Sequence, residues 1–263
     1  MSITAKDVQA LRQSTGVGMM DAKKALDAND GDMSAATQWL RVQGLASAAK
    51  RADREAGEGV VAVVRDGDVA AIVELRCETD FVAKSDEFVS LADEIAARVC
   101  LDGESAVDQF QDRIERMLTT LKENISLGRV RRLAATPPEV VDTYIHHQSG
   151  RGVNAVAVVL SGGSDEAAHE IAVHIAFARP LYLTRDDVPV SEVDAERATV
   201  EEITRNEGKP EAALSKIIEG RLNGWFKERV LLEQPYVKDE KLTVAQFLGG
   251  ATIRTFAQVI VGG

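Results

Sequence analysis

Two pairs of β-rich runs, which begin about 80 positions apart, constrain the fold of this chain more than any other feature. The first pair, 59–64 and 69–76, flanks an Asp-Gly step, which is a strong signal for a tight hairpin turn. The second pair, 140–147 and 153–161, flanks a short polar loop. Helical spacing follows each pair. The chain is therefore predicted to be α+β, with two core subdomains that contain antiparallel sheets.

The first 50 residues carry no comparable strand signal and predict a module of three short helices. Thr4 with Asp7 is typical of a capped helix start, and the turn-forming run 29–32 separates the second helix from the third. A stretch rich in Ala, Lys, Arg and Gly then predicts a linker. The chain is therefore predicted to divide into a module (1–50), a linker (51–58), a core N-subdomain (59–136) and a core C-subdomain (137–263).

A segment within the C-subdomain, 190–229, has a different pattern. Two helical stretches flank Gly208-Lys209-Pro210, and Gly at the end of one helix followed by Pro at the start of the next is typical of a helical hairpin. The apolar positions form a seam too narrow for a full core: Val193, Val200, Ile203, Leu214, Ile217 and Ile218. We therefore predict an antiparallel helical hairpin that projects from the body.

The charge and composition exclude some classes of function. A formal net charge of −11 opposes direct binding to nucleic acid, and the basic runs 50–54 and 129–132 are short, as in a solvated linker or the rim of a sheet. No apolar stretch approaches the roughly 18–20 residues of a membrane span. The N-terminus lacks a signal or transit pattern, so the mature chain is expected to begin at Met1. With two cysteines, Cys77 and Cys100, predicted to be buried, a cytoplasmic location is expected.

No arrangement of residues predicts a metal site, a cofactor site or covalent catalysis. His169 and His174 are five residues apart on a predicted helix, about 140° around its axis, so one metal ion could not bind both. His146 and His147 are adjacent on a predicted strand and are expected to face opposite ways. Gly208-Lys209-Pro210 has proline where a phosphate loop needs Ser or Thr. We therefore expect no catalytic residues, no bound metal and no cofactor.

Two segments resemble the signature stretches of the bacterial elongation factor Ts family. The first is 11–26, which reads LRQSTGVGMMDAKKAL, and the second is Thr79-Asp80-Phe81-Val82-Ala83-Lys84, directly after the first hairpin. Shorter matches continue along the chain, at 123–125, 144–146, 208–210, 219–221 and 234–237. The resemblance extends over essentially the whole chain.

The resemblance implies a guanine-nucleotide exchange factor. Members of the family bind elongation factor Tu in its GDP-bound and nucleotide-free forms and promote GDP release during translation elongation. The resemblance also implies that the N-terminal module is similar to ubiquitin-associated domains and rests on the nucleotide domain of the partner. The implied contact residues are Arg12, Met19, Met20, Lys23, Asp80, Phe81, His146 and Val237. The implied wedge, which displaces magnesium, consists of Thr79, Asp80, Phe81 and Val82.

Two departures from the family pattern affect these expectations. Family members usually read Gly-Arg-Ile-Gly-Val where this chain has Gly150-Arg151-Gly152-Val153-Asn154. Longer members also carry a further helix after the closing strand 251–261, and a contact made by that helix is expected to be absent or replaced here. Without the resemblance, residue chemistry alone would favour Met19, Met20 and Phe81 as core residues.

Two other functions are alternatives to exchange. The first is a scaffold of the ubiquitin-associated type, which binds a protein partner without altering it. The second is a hydrolase or transferase that uses His146 and nearby acidic residues. GDP release from the partner separates exchange from the scaffold, because a scaffold leaves that rate unchanged.

Overall fold

The computed structural model describes residues 3–49 and 54–263, and begins with three packed helices. Their bounds are α1 (Ala5–Thr15), α2 (Met19–Ala28) and α3 (Met33–Ala49). Thr4 and Asp7 cap α1 reciprocally, and the side chain of Asp32 accepts a hydrogen bond from the Ala35 amide at the start of α3. A small apolar core joins the helices: Val8, Leu11, Val17, Ala22, Ala25, Leu26, Ala36 and Leu40. Residues 50–53 of the predicted linker lie outside the described residues.

The first sheet is antiparallel, with strand order β1-β2-β3. Its strands are β1 (Glu58–Asp66), β2 (Val69–Cys77) and β3 (Ser126–Ala134). The predicted hairpin is confirmed, since Asp66 pairs with Val69 across a turn in which Gly67 has a φ of +54°. β1 begins one residue inside the predicted linker. β3 contains the basic run 129–132, which therefore lies on an edge strand of the sheet.

Three helices cover one face of this sheet. They are α4 (Asp80–Ala83), α5 (Asp86–Asp102) and α6 (Gln111–Leu121), with a 3₁₀ turn, Glu104–Phe110, between α5 and α6. Because side chains alternate along a strand, Ala71, Val73 and Leu75 of β2 pack on these helices, whereas Ala70 and Ile72 point to the other face. β2 is therefore apolar on both faces.

The second sheet has the antiparallel order β4-β5-β8. Its strands are β4 (Val140–Gln148), β5 (Arg151–Ser161) and β8 (Thr252–Ile260). The remaining elements in this half are α7 (Asp165–Ala178), α8 (Val190–Asn206), α9 (Glu211–Arg229), a small hairpin of β6 (Pro235–Tyr236) and β7 (Asp239–Thr243), and α10 (Val244–Leu248). α7 packs on β5 through Val156, Val158 and Leu160.

The two sheets pack face to face, giving a layer order of helices, sheet, sheet, helix. The layer between them consists largely of small residues, among them Ala70, Ala155 and Ala157. The approach is close, because a Cβ atom placed on Gly152 would lie 2.2 Å from the carbonyl oxygen of Val61. The predicted α+β class is confirmed, and the two units form one sandwich.

A buried ion pair lies at the edge of this layer. The carboxylate of Glu74 is fully buried and accepts hydrogen bonds from the backbone amide and the guanidinium of Arg129, at 3.0–3.2 Å. Arg76 donates a further bond to it at 3.2 Å. Arg129 also donates to the carbonyl of Ile260 on β8. The pair therefore ties β2 and β3 of one sheet to β8 of the other.

α8 and α9 pack mainly on each other. A cluster of four apolar residues joins them: Val200, Leu214, Ile218 and Leu222. A second cluster, centred on Val188, Phe226 and Val230, joins the base of the pair to the chain that follows α7. These clusters are separate from the two cores beneath the sheets.

Candidate partner-binding surface

A large aromatic side chain is exposed on the single turn of α4. Phe81 is 83% exposed, whereas Ala83 is fully buried and Val82 packs on the core beneath the first sheet. A single helical turn can bury only part of its circumference, and in α4 the buried part consists of positions 82 and 83. The fold therefore fixes the backbone of the turn and leaves the Phe81 ring in solvent.

A carboxylate from the end of α6 holds the start of this turn. Glu123 accepts hydrogen bonds from the amides of Glu78 and Thr79, both at 3.1 Å, and from the Thr79 hydroxyl at 2.5 Å. Thr79 in turn caps α4, accepting from the Val82 amide at 3.4 Å. Charge-assisted bonds of this kind are stronger than neutral ones. Glu123 therefore positions the predicted wedge residues.

The side chains of Asp80, Lys84 and Cys77, beside the turn, also have hydrogen-bond partners. Lys84 donates to the Asp80 carboxylate at 2.5 Å, and this contact lowers the pKa of Asp80. The thiol of Cys77 donates to the carbonyl of Thr79 at 3.2 Å, and burial raises the pKa of Cys77 to about 12. Since the thiolate is the nucleophilic form, Cys77 has no reactive character here.

All four predicted contact residues of the N-terminal module are exposed to solvent. Met19 is 47% exposed, Met20 is 76% exposed, and Arg12 and Lys23 are also exposed. On α2, Lys23 is four residues after Met19 and three after Met20, so its side chain is a neighbour of both. Methionine suits adaptable binding surfaces because its side chain is unbranched and polarisable.

The second half of the chain supplies the other two predicted residues. His146 is exposed near the end of β4, where a bulge separates it from His147 in the pairing with β5. Val237 follows β6 and is half-buried, and its amide donates to Nδ1 of His174 at 3.2 Å. His174 therefore positions the backbone at Val237.

The protonation of His174 follows from its partners. Because the Val237 amide can only donate, Nδ1 carries no proton, and Nε2–H donates to the side-chain carbonyl of Gln234 at 3.0 Å. Burial lowers the pKa of His174, opposed by the bond to Gln234. The folded protein thus holds this ring neutral. Below the pH at which the ring of the unfolded chain takes up a proton, stability is therefore lost as pH falls.

This loss is expected to appear in the free energy of unfolding. Below about pH 6.5, stability should fall with a His174 contribution no steeper than about 1.4 kcal/mol per pH unit. Urea unfolding of wild type and His174→Gln at neutral and acid pH measures it, since glutamine accepts from Val237 without titrating. A variant at the exposed His146, His146→Gln, is the control and should retain the wild-type slope. Equal slopes in wild type and His174→Gln would contradict the assignment.

A chain of contacts connects α2, the Phe81 turn and the end of β4 that carries His146. Asp21 of α2 pairs with Lys122 at 2.7 Å, and the next residue, Glu123, holds the Phe81 turn. On the other side of that turn, Cys77 pairs with Glu58 across β1 and β2. Arg151 lies at the start of β5, beside the strand end that carries His146, and bonds to Glu58 at 2.5 Å.

Residues 150–154, which depart from the family pattern after Gly150-Arg151, contact the rest of the protein. Arg151 also donates to the carbonyl of Gly59 at 2.5 Å, which fastens the β4–β5 turn to the first sheet. Asn154 donates to the carbonyl of Ala176 at the end of α7 and accepts from Gln258 at 3.0 Å. Arg151 and Asn154 therefore have a structural role, because they fasten the β4–β5 turn and the start of β5 to the rest of the protein.

Within 3–49 and 54–263, no group of three or more His, Cys, Asp and Glu side chains is placed to hold a metal ion. In the same ranges, no helix is both long and apolar enough to cross a membrane. The candidate site is thus a set of exposed methionine, phenylalanine and cationic side chains, and partly buried hydrogen bonds to Glu123 hold the Phe81 turn. Such a surface on an α+β fold is typical of a factor that binds another protein.

Comparison with known proteins agrees with this class. A family model described as Elongation factor TS matches residues 78–263. The chain is 46% identical to Elongation factor Ts of Clavibacter michiganensis subsp. michiganensis over 275 aligned positions, covering 99% of both chains. It is 45% identical to Elongation factor Ts of Micrococcus luteus, covering 98% of both chains. The chain belongs to the elongation factor Ts family, and its role is nucleotide exchange in translation elongation.

Replacing Glu123 by glutamine is expected to loosen the Phe81 turn without unfolding the protein. The amide side chain keeps the shape but weakens the bonds from Glu78 and Thr79, which lose their charged acceptor. We expect GDP exchange to slow several-fold and the melting temperature to fall by only a few degrees. Glu115→Gln, which changes a glutamate within α6, is the control. Full activity in Glu123→Gln would show that the turn needs no carboxylate.

Proposed function

We propose that this chain binds elongation factor Tu, in its GDP-bound and nucleotide-free forms, and promotes GDP release by inserting Phe81 near the magnesium and phosphate site. The observation that carries the proposal is the exposure of Phe81 on a turn whose neighbouring residues are anchored. A ring held in this way can enter a partner without reorganisation of its own backbone. Family membership supports the same role.

The energetics require more than the wedge. If the factor weakens GDP binding by some ratio, GDP must weaken factor binding by the same ratio. Burial of one phenylalanine contributes roughly 1.5–3 kcal/mol, or about 10- to 100-fold in an equilibrium. The remaining binding energy must come from grip residues, for which we propose Arg12, Met19, Met20, Lys23, His146 and Val237.

The proposed mechanism contains no covalent step and uses no cofactor. Thr79, Asp80, Phe81 and Val82 disturb the magnesium and phosphate surroundings of the partner, while the grip residues hold it. We place this activity in the cytoplasm, where translation elongation takes place in bacteria.

Release of a fluorescent GDP analogue from purified elongation factor Tu tests the proposal. Addition of the chain should accelerate release in proportion to its concentration, up to a plateau. Binding without acceleration would identify a scaffold of the ubiquitin-associated type instead. Exchange that persists in a His146→Ala, His147→Ala double variant would argue against a hydrolase or transferase that depends on these histidines.

We further infer that the module 1–50, which is similar to ubiquitin-associated domains, and the helical hairpin 190–229 are appendages of the core subdomains 59–136 and 137–263. For the hairpin, the support is the separation of its apolar cluster from the cores. For the module, the support is its own apolar core, which is distinct from the core beneath the first sheet. The module contacts α6 through Gly44, which lies against the Thr119 side chain, and contacts the residue after α6 through the exposed ion pair Asp21–Lys122.

Shortening the hairpin tests its accessory role. Replacing residues 198–221 by Gly-Ser-Gly removes Val200, Leu214 and Ile218 of the α8–α9 cluster but retains the base, where Phe226 and Val230 pack. We expect GDP release to stay within about twofold of wild type, while the lifetime of the factor–partner complex changes. Stopped-flow exchange and dissociation kinetics measure both quantities. A loss of exchange as large as that of a Phe81 variant would contradict the accessory role.

A further inference from the structure

A groove rich in arginine lies between the free edges of the two sheets, along β3 and β8. The two edge strands run in opposite directions beside each other and are bridged at both ends. Arg129 of β3 donates to the carbonyl of Ile260, and Arg254 of β8 donates to the carbonyl of Ala134 at 2.5 Å. Between these bridges is an open cavity of about 910 Å³. From Arg129 to Ala134 the strand spans about 16 Å, which is longer than a single phosphate group.

The fold concentrates positive charge in this groove. Its lining includes five arginines: Arg129, Arg131, Arg132, Arg179 and Arg254. The sequence shows only the short run 129–132, whereas the fold adds Arg179 from the end of α7 and Arg254 from β8. In a protein with a net charge of −11, such a cleft focuses the potential and attracts anions.

Two of these arginines have no carboxylate partner and are exposed. Arg129 and Arg254 pair with Glu74 and Glu139, and the Arg132 side chain donates to a backbone carbonyl. Across the residues that the structure describes, no carboxylate lies within 4.0 Å of the guanidinium of Arg131 or Arg179. One nitrogen of the Arg131 guanidinium donates to the carbonyl of Val130 at 2.8 Å, and its remaining donors, together with the guanidinium of Arg179, are available for an external anion.

The backbone of the groove does not favour an extended peptide. A peptide adds to a sheet through free amides and carbonyls of the edge strand. On β3, the amides of Arg129 and Arg132 already donate to Glu74 and Glu104. The bridging guanidiniums occupy carbonyls of Ile260 and Ala134. A ligand must therefore bind through the side chains.

The walls of the groove suit the bases of a nucleic acid. Phe256 of β8, which is half-buried and also packs on the core beneath the second sheet, lines the cavity together with Leu181, which follows α7 and is 63% exposed. Aromatic and apolar side chains beside a cationic groove are typical of sites for single-stranded nucleic acid, where bases stack and phosphates bind cations. Guanidinium also matches phosphate geometry in a bidentate manner.

We propose that this groove binds single-stranded RNA, with Arg131 and Arg179 contacting phosphates and Phe256 contacting a base. The proposal revises the expectation, from net charge and short basic runs, that the chain makes no direct contact with nucleic acid. It is independent of nucleotide exchange, because the groove lies outside the contacts that connect α2, the Phe81 turn and the β4–β5 turn.

Fluorescence anisotropy with a short labelled oligouridylate tests the proposal. Wild type should bind at low salt, and Arg131→Gln with Arg179→Asn should weaken binding at least about tenfold. The slope of log affinity against log salt should become shallower by roughly 1.4, since each lost phosphate contact contributes about 0.7. Asparagine suits position 179, where φ is 50°.

A matched control separates the groove from net charge. Arg197→Gln with Lys216→Gln removes two exposed positive charges from α8 and α9 and should bind RNA as wild type does. Both double variants should exchange GDP at the wild-type rate. No RNA binding by wild type, or equal losses in the two double variants, would overturn the proposal. So would equally tight, arginine-dependent binding of an oligoglutamate, which would identify a site for acidic protein segments.

Discussion

Phe81→Ala is expected to slow GDP release from elongation factor Tu by about 10- to 100-fold at saturating factor. This range follows from the roughly 1.5–3 kcal/mol of one buried phenylalanine. The ring is 83% exposed in the free protein, so its removal takes little from the core. Stopped-flow release of a fluorescent GDP analogue measures the rate, and a melting curve should show an unchanged fold.

Two affinities distinguish a wedge from a grip residue. A wedge favours the nucleotide-free partner over the GDP-bound one, so Phe81→Ala should lower the ratio of these affinities by the same 10- to 100-fold. Loss of a grip residue weakens both affinities equally and leaves the ratio unchanged. Phe177→Ala is the matched control, because Phe177 is 75% exposed in the last turn of α7 and is not in the proposed site. An unchanged rate and an unchanged ratio would falsify the wedge.

Arg129→Met is expected to destabilise the protein by about 3–5 kcal/mol, because it leaves the Glu74 carboxylate buried with much of its compensation removed. Burial alone would raise the pKa of Glu74, but bonds from Arg129 and Arg76 outweigh it and hold the pKa below its usual value. Methionine keeps the length of the side chain and none of its charge. Urea unfolding at neutral pH measures the loss.

Two further variants make this prediction specific. Adding Glu74→Leu to Arg129→Met should recover much of the stability, since an apolar pair of similar volume has no charge to desolvate. Arg113→Met breaks an exposed ion pair with Glu94 and should change stability by only about 0–1 kcal/mol. A loss for Arg129→Met that is as small as the loss for Arg113→Met would show that water or Arg76 satisfies Glu74.

Local patterns predicted the elements that carry their own signals. The turn at Gly67 and the β-rich runs around it predicted β1 and β2, the cap at Thr4 predicted the start of α1, and the turn-forming run 29–32 predicted the boundary between α2 and α3. β3 was not predicted as a strand, because the arginines at 129–132 are equally typical of a solvated linker or the rim of a sheet. The packing of sheet on sheet was also missed, since a doubly apolar strand such as β5 shows that both faces are buried but not by what.

Some residues of the candidate site were predicted from the sequence and others were not. The family resemblance supplied Phe81 and the other contact positions, whereas residue chemistry alone favoured a buried ring. Glu123 and His174 were not predicted as supporting residues, because their roles depend on partners 44 and 63 positions away. Distant pairs of this kind leave no periodic trace in one sequence. The match at 123–125 was the only signal that pointed to Glu123.

The anchoring of α4 has a consequence for the entropy of binding. Fixing the backbone of one residue costs about 1–2 kcal/mol, so ordering a mobile four-residue turn at the moment of contact would cost about 4–8 kcal/mol. In this protein the order of Asp80–Ala83 is already established during folding, by the packing of Val82 and Ala83 and by the hydrogen bonds that Glu123 accepts from Glu78 and Thr79. The binding energy of Phe81 is therefore available to act on the partner instead of being consumed in ordering the factor.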